Sequence, residues 1–294
     1  MYLNYWKLLR RPFDERLDPS WFFGSAHHQG MLLKLRCVVK NRSPIAILAG
    51  GTGCGKSMVA TTLADRLTSE TNPAVYLHST PGNVADVLRG ILGELHHGAS
   101  RTTADADSAP HVHWVQALQT QLGRRAEAGQ HPVVFLDACD LLPEQEFHGL
   151  IRVLRQLTVA GAPAMTTMLI GSAELLVRAR RLGVSGLELF PQCVLGAMAP
   201  ADTAAYISHR IRVAGGDSSM FAPAAVQLIH DLAGGVPRRI NRLCDLSLLI
   251  GYSKNCERIS DGLVWTAQGE MRVLSSTRTA TAPATRRWRP LRRA

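Results

Sequence analysis

Residues 45–57 read Ile-Ala-Ile-Leu-Ala-Gly-Gly-Thr-Gly-Cys-Gly-Lys-Ser. The last eight, residues 50–57, match the phosphate-loop pattern GxxxxGK followed by Ser or Thr. An apolar run precedes the pattern, and a helix-forming stretch follows it from Met58. A functional loop of this kind requires that order of strand, loop and helix. The segment therefore predicts a phosphate-binding loop in its proper structural context.

The composition of the loop explains how it would hold an anion. Its glycines allow backbone conformations closed to other residues, so successive N–H groups can turn toward a phosphate. The helix that begins near Gly55 adds its first-turn amides and the positive end of its dipole. Lys56 is expected to reach the β- and γ-phosphates, and the Ser57 hydroxyl is expected to bind Mg²⁺. The residues expected to contact the nucleotide are Gly50, Gly51, Thr52, Gly53, Cys54, Gly55, Lys56, Ser57 and Met58.

A second motif follows about 80 residues after the loop. The apolar run 133–136 ends in Asp137, a carboxylate that can bind Mg²⁺ through water. Many ATPases of this layout carry next a glutamate that activates the attacking water, but here the residue is Ala138. Loss of a positioned base costs a factor of about 10²–10⁴ in rate. Asp140 and Glu144 are near enough in sequence to be considered as substitutes.

The charge of the chain is concentrated at one end. The formal net charge is +10, and residues 272–294 hold seven arginines and no acidic residue. The terminal segment is also rich in Thr, Ala and Pro, a composition typical of disorder. It is expected either to touch nucleic acid, anionic lipid or an acidic partner, or to be a solvated tail without a specific partner.

The cysteines and the hydropathy favour a cytoplasmic protein. The six cysteines are Cys37, Cys54, Cys139, Cys193, Cys244 and Cys256. They are widely spaced and form no CxxC pair, which is typical of reduced thiols. No run of 18 apolar residues occurs, and the first residues lack the apolar core of a signal peptide. The sequence therefore predicts no membrane span.

The hydrophobic pattern predicts an α/β fold followed by helices. Strands are expected at 45–49, 74–78, 132–137, 165–171 and 192–195. A helix is expected before the first strand, near 26–41, and further helices between strands near 84–95, 112–128 and 147–157. This alternation predicts a mainly parallel sheet covered by helices on both faces. Beyond Pro200 the pattern is helical only, at 201–214, 223–233, 237–252 and 260–273.

These patterns define an expected domain organisation. It consists of an N-terminal arm at 1–25, a P-loop α/β nucleotide-binding domain at 26–198, a helical lid domain at 199–273 and a basic disordered tail at 274–294. Residues 98–110 carry no large apolar side chain and are expected to form a mobile surface insertion.

A family resemblance covers most of the chain. The residues that carry it are Met1-Tyr-Leu, Pro12-Phe13, Asp18-Pro19, Phe22-Phe23, residues 25–28, the phosphate loop, and residues 233–245 with the sequence Ala-Gly-Gly-Val-Pro-Arg-Arg-Ile-Asn-Arg-Leu-Cys-Asp. The chain resembles the AAA+ ATPases of the general secretion pathway protein A (ExeA-type) group, which belong with the origin-recognition-like AAA domains. The resemblance implies a P-loop NTPase (AAA+) sheet with a small all-helical lid, and ATP and Mg²⁺ as cofactors. It also implies a homo- or hetero-oligomer that remodels a protein partner, often in envelope transport.

The resemblance also assigns residues. Residues 50–57 match the Walker A loop and Asp137 matches the Walker B aspartate. Arg238 matches the sensor 2 arginine, which contacts the γ-phosphate from the lid. Ser172 lies where relatives carry a glutamine as sensor 1. Lys56, Asp137 and Arg238 are accordingly the expected catalytic residues, and Ser57 and Asp137 the expected metal ligands.

Three departures from the family leave alternatives open. Ala138 replaces the family's glutamate, and residues 187–193, where relatives place an arginine finger, contain no arginine. An arginine of this kind is worth about 10³–10⁵ in rate. The transmembrane helix and peptidoglycan-binding domain of the secretion proteins are not expected here. The chain is therefore predicted to be an ATP hydrolase of modest rate, with an ATP-gated scaffold or a DNA-associated, transposition-type module as alternatives.

Overall fold

The computed structural model describes residues 2–67, 72–78, 82–96, 111–181 and 191–278. The chain divides into two compact units. The first, here called the sheet unit, comprises Glu15–Asp202 and Val236–Arg238. The second, the helical unit, comprises Met1–Asp14, Thr203–Gly235 and Arg239–Ala294. The helical unit therefore draws on both ends of the sequence.

The regular elements are numbered in chain order. They are α1 (Tyr2–Tyr5), α2 (Ala26–Lys40), β1 (Ile45–Gly50), α3 (Lys56–Leu67), β2 (Ala74–Leu77), α4 (Val84–Leu95), α5 (His111–Glu127), β3 (Val133–Leu136), α6 (Glu144–Gln156), β4 (Thr158–Val159), β5 (Ala162–Pro163), β6 (Thr166–Gly171), α7 (Ala173–Arg181), β7 (Gln192–Leu195), α8 (Pro200–Val213), α9 (Pro223–Ala233), α10 (Pro237–Ser253) and α11 (Asp261–Arg278). Short 3-10 helices lie at Pro19–Trp21, Cys139–Leu141 and Ser218–Met220.

A parallel sheet forms the centre of the sheet unit. Its strand order is β2-β3-β6-β1-β7, and every neighbouring pair is parallel. Strands β1 and β6 are buried at every position, as expected for central parallel strands covered on both faces. Since β6 lies between β1 and β3, the ends of these three strands meet at one edge of the sheet.

Helices cover both faces of this sheet. On one face, Leu88 of α4, Leu118 of α5 and Phe147 of α6 are fully buried in the cluster that includes β1 side chains. On the other face, Leu35 of α2 and Leu63 of α3 pack in a second cluster with alternate side chains of the same strands. Burial of an apolar side chain of this size contributes about 1.5–3 kcal/mol. The predicted fold, a P-loop parallel sheet flanked by helices, is confirmed.

The helical unit is built from α8–α11 together with the N-terminal residues. The Trp6 ring is buried and its Nε1 donates a hydrogen bond to the Leu248 carbonyl at 3.0 Å. The Tyr2 hydroxyl donates to Asp245 Oδ1 at 3.1 Å. A β-carbon on Gly251 would lie 3.0 Å from the Trp6 ring, so α10 approaches the indole as closely as glycine permits. The N-terminal segment is thus an integral part of this unit.

Two differences from the sequence analysis concern the chain ends. Residues 2–14, which were grouped in an arm at 1–25, lie in the helical unit. Helix α11 continues to Arg278, so residues 274–278 are helical rather than part of a disordered tail, since no glycine or proline interrupts residues 270–282. The predicted insertion at 98–110 and the remainder of the tail, 279–294, lie outside the described residues.

Several short elements were not predicted, among them α1 in the N-terminal segment. Helix α7 follows β6 directly, and β4 and β5 form a two-residue antiparallel pair. Among the helices that the structure describes, none combines the length and the apolar character needed to cross a bilayer.

Candidate functional site

The phosphate loop joins β1 to α3, in agreement with the predicted strand, loop and helix. Gly53 and Gly55 have φ angles of 81° and 102°, in the left-handed region that favours glycine. Helix α3 begins at Lys56, so the unpaired N–H groups of its first turn lie in the second half of the motif. The loop therefore has the backbone geometry on which anion binding at a helix N-terminus depends.

Close approaches by neighbouring residues leave no room for a side chain at positions 50 and 53. A β-carbon on Gly50 would lie 2.4 Å from the Leu195 carbonyl oxygen at the end of β7. A β-carbon on Gly53 would lie 2.6 Å from Cβ of Arg238, and the Arg238 N–H donates to the Gly53 carbonyl at 3.2 Å. Arg238, the expected sensor 2 residue, therefore lies directly against the phosphate loop.

Lys56 folds back on its own loop. Its Nζ donates hydrogen bonds to the carbonyl oxygens of Gly50 at 2.9 Å and Gly51 at 3.0 Å. The ammonium group is thereby held over the concave side of the loop, where a polyphosphate would meet it. Of the remaining expected contacts, Thr52 is exposed, Met58 is half-buried on the first turns of α3, and the Cys54 thiol is buried beneath the loop. Burial raises the pKa of Cys54 above its usual value, so its thiol stays protonated.

The expected metal ligands, 80 residues apart in sequence, are joined in space. Ser57 Oγ donates to Asp137 Oδ2 at 2.6 Å, and the Tyr76 hydroxyl donates to the same oxygen at 3.0 Å. The other oxygen, Oδ1, accepts from the Ala138 N–H at 2.8 Å. Burial, followed by the Asp137 charge, raises the pKa of Tyr76, so its phenol remains a donor.

This donor set fits Mg²⁺. A hydroxyl and a carboxylate oxygen within 2.6 Å of each other offer the hard oxygen ligands that magnesium prefers, with its other positions left to water and phosphate. When bound, the ion would neutralise phosphate charge. Ser57 and Asp137 would hold it. Among the described residues, no group of three or more His, Cys, Asp or Glu side chains forms another candidate metal site.

Ala138 stands where the family carries its glutamate, and its backbone is unusual. Its φ and ψ are 58° and 34°, the left-handed helical region, which costs a residue with a β-carbon about 1–2 kcal/mol. The turn reverses the chain into the 3-10 helix Cys139–Leu141. The chain that carries Asp140 and Glu144 therefore does not continue in the direction of β3.

The two substitute carboxylates have different surroundings. Glu144, at the start of α6, accepts from Arg178 Nε at 2.8 Å and from the His148 ring at 3.3 Å. The Asp140 carboxylate instead lies at the end of β6, where a β-carbon on Gly171 would be 2.8 Å from its Oδ1. The Asp140 main-chain carbonyl accepts from Arg178 Nη1 at 3.0 Å.

The guanidinium of Arg178 contacts both segments that carry these carboxylates. The residue is only 7% exposed, and its guanidinium carbon lies 4.7 Å from the centre of the Phe147 ring. The Arg178 guanidinium thus ties α7 both to the start of α6 and to the turn after Ala138. This role of Arg178 has no signal in the sequence, because the three segments come together only in the fold.

Arg238 also contacts Glu15, a residue for which the sequence predicted no role. Arg238 Nε lies 3.6 Å from Glu15 Oε2, and both side chains are about half-exposed, at 48% and 44%. An exposed pair of this kind contributes about 0–1 kcal/mol. This ion pair therefore holds the Arg238 side chain only weakly.

A buried histidine, His28, packs against the phosphate loop at Gly55. His28 Nδ1 lies 2.7 Å from Ser25 Oγ, the hydroxyl that also caps α2. His28 Nε2 lies 3.3 Å from the position a β-carbon on Gly55 would take. Burial lowers the pKa of His28, while a hydrogen bond to the Cys54 backbone opposes that shift. Ser25 and His28 belong to the residues on which the family resemblance rests.

Two expected positions are less closely connected with the loop. Ser172 follows β6 and is half-buried, and its carbonyl accepts from the Leu175 N–H at 3.1 Å. Its neighbour Gly171 pairs with Ala49, the residue before the loop. In the segment 187–193, where relatives place the arginine finger, residues 187–190 lie outside the described ranges.

The parallel sheet with its flanking helices and phosphate loop is a P-loop fold of the kind found in AAA+ proteins. The family model described as AAA domain matches residues 39–178. The predicted resemblance is thereby confirmed over these residues.

Two kinds of relative support this assignment. General secretion pathway protein A of Aeromonas hydrophila is 28% identical over 277 residues, which cover 92% of this chain and 48% of the relative. The chain thus spans about half the length of that relative. Among solved structures, Aeropyrum pernix ORC2 in its ADPNP-ADP complexes has a TM-score of 0.68 at 17% identity, covering 89% of this chain and 71% of that one. Aeropyrum pernix ORC1 in complex with DNA has a TM-score of 0.64 at 20% identity, covering 86% and 68%. At these identities the solved structures show the shared fold.

Proposed function

We propose that this protein binds ATP with Mg²⁺ and couples nucleotide binding and hydrolysis to remodelling of a partner complex. The observation that carries the proposal is the contact between Ser57 Oγ and Asp137 Oδ2 at 2.6 Å, at the mouth of a phosphate loop with left-handed glycines. That contact joins the first turn of α3 to the residue that follows β3 and brings two oxygen ligands together. Lys56 and Arg238 add two cations beside the same loop.

The cellular setting is part of the proposal. Similarity to general secretion pathway protein A favours a role in secretion or envelope biogenesis, in a homo- or hetero-oligomer with a protein partner. All six cysteines are free thiols, which supports the predicted cytoplasmic location.

Nucleotide binding is tested with Lys56→Ala. We expect the wild type to bind a fluorescent ATP analogue with a micromolar Kd and the variant to lose at least about tenfold in affinity, since a charge-assisted contact worth about 1.5–3 kcal/mol is removed. Lys34→Ala, which removes an exposed lysine of α2, is the matched control and should bind as the wild type does. A wild type that binds neither ATP nor ADP would sink the proposal.

The specific alternative is an ATP-gated scaffold with little hydrolysis, and Ala138 is the observation that favours it. Steady-state turnover of the wild type and of Ala138→Glu separates the two. If no other group serves as base, the variant should gain a factor of about 10²–10⁴. Comparable turnover in both proteins would show that another carboxylate acts in the wild type.

A DNA-associated, transposition-type role has narrower support. It rests on the arginines of residues 272–294 and on the fold shared with ORC1, which was solved in complex with DNA. Removal of residues 279–294 should then reduce affinity for duplex DNA and flatten its salt dependence. Equal DNA affinity in the full chain and in the truncated chain would show that residues 279–294 do not bind DNA.

A further inference from the structure

We propose that Asp140 is the general base for ATP hydrolysis in this chain, in place of the glutamate that is absent at position 138. The inference rests on the proposed function and names the residue that would complete it. Three features of the molecule favour Asp140: the position of its carboxylate, the contact that holds its backbone, and the binding of the neighbouring Glu144 carboxylate to Arg178 and His148.

The backbone at Ala138 places Asp140 over the sheet. The left-handed conformation at φ 58° turns the chain back, and the 3-10 helix Cys139–Leu141 follows immediately. As a result, Asp140 Oδ1 and Cγ lie 2.8 and 3.3 Å from the position that a β-carbon on Gly171 would occupy. A side chain at position 171 would displace the carboxylate, so glycine there leaves the space that Asp140 fills.

The strand register locates this point within the site. Gly171 is the last residue of β6 and pairs with Ala49, which precedes the phosphate loop by one residue. On its other side β6 pairs with β3, in which Leu136 directly precedes Asp137. Neighbouring strands lie about 4.8 Å apart. The Asp140 carboxylate therefore occupies the end of the strand between the phosphate loop and the Asp137 strand, the edge at which the γ-phosphate would be bound.

Asp140 and Glu144 differ in what holds them. Arg178 binds Asp140 through the main-chain carbonyl, at 3.0 Å, which fixes the backbone and leaves the carboxylate oxygens for other contacts. In the described ranges the Asp140 carboxylate forms no ion pair. Glu144 gives its carboxylate oxygens to Arg178 and His148 and lies on the exposed start of α6. A base must be near the reacting water. Of these two carboxylates, Asp140 is the one that lies at the end of β6.

The proposed step conserves atoms and electrons. A water oxygen forms a bond to the γ-phosphorus while the bond from that phosphorus to the β,γ-bridging oxygen breaks. The bridging oxygen keeps the electron pair and leaves as part of ADP, and the Asp140 carboxylate accepts one proton from the water. That proton then passes to solvent, and the products are ADP and inorganic phosphate, with no oxidation or reduction.

The experiment compares single-site carboxylate-to-amide variants of the full chain. Asp140→Asn should lower steady-state phosphate release at saturating Mg·ATP by at least about tenfold, and up to the 10²–10⁴ of a general base. Its Kd for ATP should stay within about twofold of the wild type, because the loop and metal ligands are intact. Glu144→Gln is the matched control and should retain turnover within about twofold.

A double variant distinguishes a base from a structural role. Ala138→Glu/Asp140→Asn should regain turnover to at least the wild-type rate, because the glutamate supplies the missing carboxylate. Three results would each overturn the assignment. The first is equal turnover in the wild type and Asp140→Asn, and the second is a loss of turnover in Glu144→Gln alone. The third is a lasting loss of turnover in the double variant together with a lowered melting temperature. A wild type that binds ATP without turnover would also overturn the assignment, whereas a wild type without nucleotide binding would overturn the proposed function itself.

Discussion

Two hydroxyl groups donate to one oxygen of Asp137, and this pairing determines how that carboxylate is presented to a metal ion. Ser57 would itself bind the metal, so Tyr76 is the second donor to Oδ2, at 3.0 Å, while the Ala138 N–H donates to Oδ1. The Tyr76 ring also stacks on Phe135, with ring centres 5.7 Å apart and an interplanar angle of 12°. The ring orientation therefore does not depend on the hydroxyl.

Tyr76→Phe is expected to weaken Mg²⁺-dependent binding of ATP by about tenfold, the lower part of the 10–100-fold range for partners that orient a metal ligand. Packing on Phe135 is kept, so the melting temperature should change little. Binding is measured by titrating ATP at saturating Mg²⁺ and again in EDTA, where the variant and the wild type should agree. Tyr252→Phe, in the helical unit, is the control. An unchanged response to Mg²⁺ in Tyr76→Phe would contradict this role.

Sequence reasoning could identify the residues of the loop, since their spacing is local. It also placed Asp137, because an apolar strand ending in a carboxylate is a local pattern. The contacts of Tyr76 and Glu15 and the position of the Asp140 carboxylate could be recognised only in the fold. Tyr76 lies on a neighbouring strand, and Asp140 reaches β6 only because Ala138 takes a left-handed conformation that no sequence rule indicates for alanine. The roles assigned to Arg238 and Ser172 remain predictions, although the structure places Arg238 against the loop.

At the scale of elements, the start of β3 is fixed to the start of β6 by a buried histidine. His131 is 4% exposed, and its Nε2 lies 2.9 Å from Thr166 Oγ1. Burial, with a contribution from Arg42, lowers the pKa of His131 to about 4. The native state therefore holds this ring neutral at a pH where the unfolded chain would protonate it.

This shift predicts a loss of stability in acid. Because the unfolded pKa is about 6.5, the unfolded state binds the extra proton first, and the free energy of unfolding falls as the pH drops from about 6.5 to about 4. The free energy of unfolding is higher above this pH window than below it, and the difference due to His131 is no more than about 3 kcal/mol. In His131→Gln, which can still hydrogen bond to Thr166, urea denaturation at pH 7 and pH 4.5 should give a smaller difference than in the wild type. The same difference in both proteins would show that other groups cause the acid sensitivity.

The elements themselves were largely predictable, with two informative exceptions. The strongly apolar strands and the amphipathic helices α2 and α4 gave clear periodic patterns. Helix α7 is short and ends in a run of arginines, so its apolar face is small, although Arg178 is buried beside Phe147. The β4–β5 pair contains only four residues, too few for a periodic signal.

At the scale of the whole molecule, the helical unit unites residues from both ends of the chain. Trp6 is its N-terminal anchor, with 6% of its surface exposed and Nε1 bonded to the Leu248 carbonyl. Arg210 adds a second attachment, because its guanidinium donates to the carbonyls of Pro12 and Asp14 at 2.5 and 2.6 Å. Stability of α8–α11 should thus depend on residues that precede the phosphate loop in sequence.

Trp6→Ala is expected to destabilise the helical unit by about 3–5 kcal/mol, the usual cost of removing a buried aromatic ring. Trp265→Ala, which removes a 55% exposed tryptophan from α11 of the same unit, should cost no more than about 0.5 kcal/mol. Scanning calorimetry of the two variants and the wild type measures both effects. Equal losses in the two variants would mean that the N-terminal segment is not the anchor described.

The pairing of Trp6 with Leu248 also has a consequence for biosynthesis. The two residues are separated by 242 positions, so the N-terminal segment leaves the ribosome well before its partners exist. At about 5–20 residues per second, that interval is on the order of ten to fifty seconds. The sheet unit, which lies almost wholly between them, can fold during this time, whereas the helical unit has to wait for the final helices. A chaperone that shields the exposed tryptophan and leucines of a nascent chain would therefore find its binding site at the start of this protein.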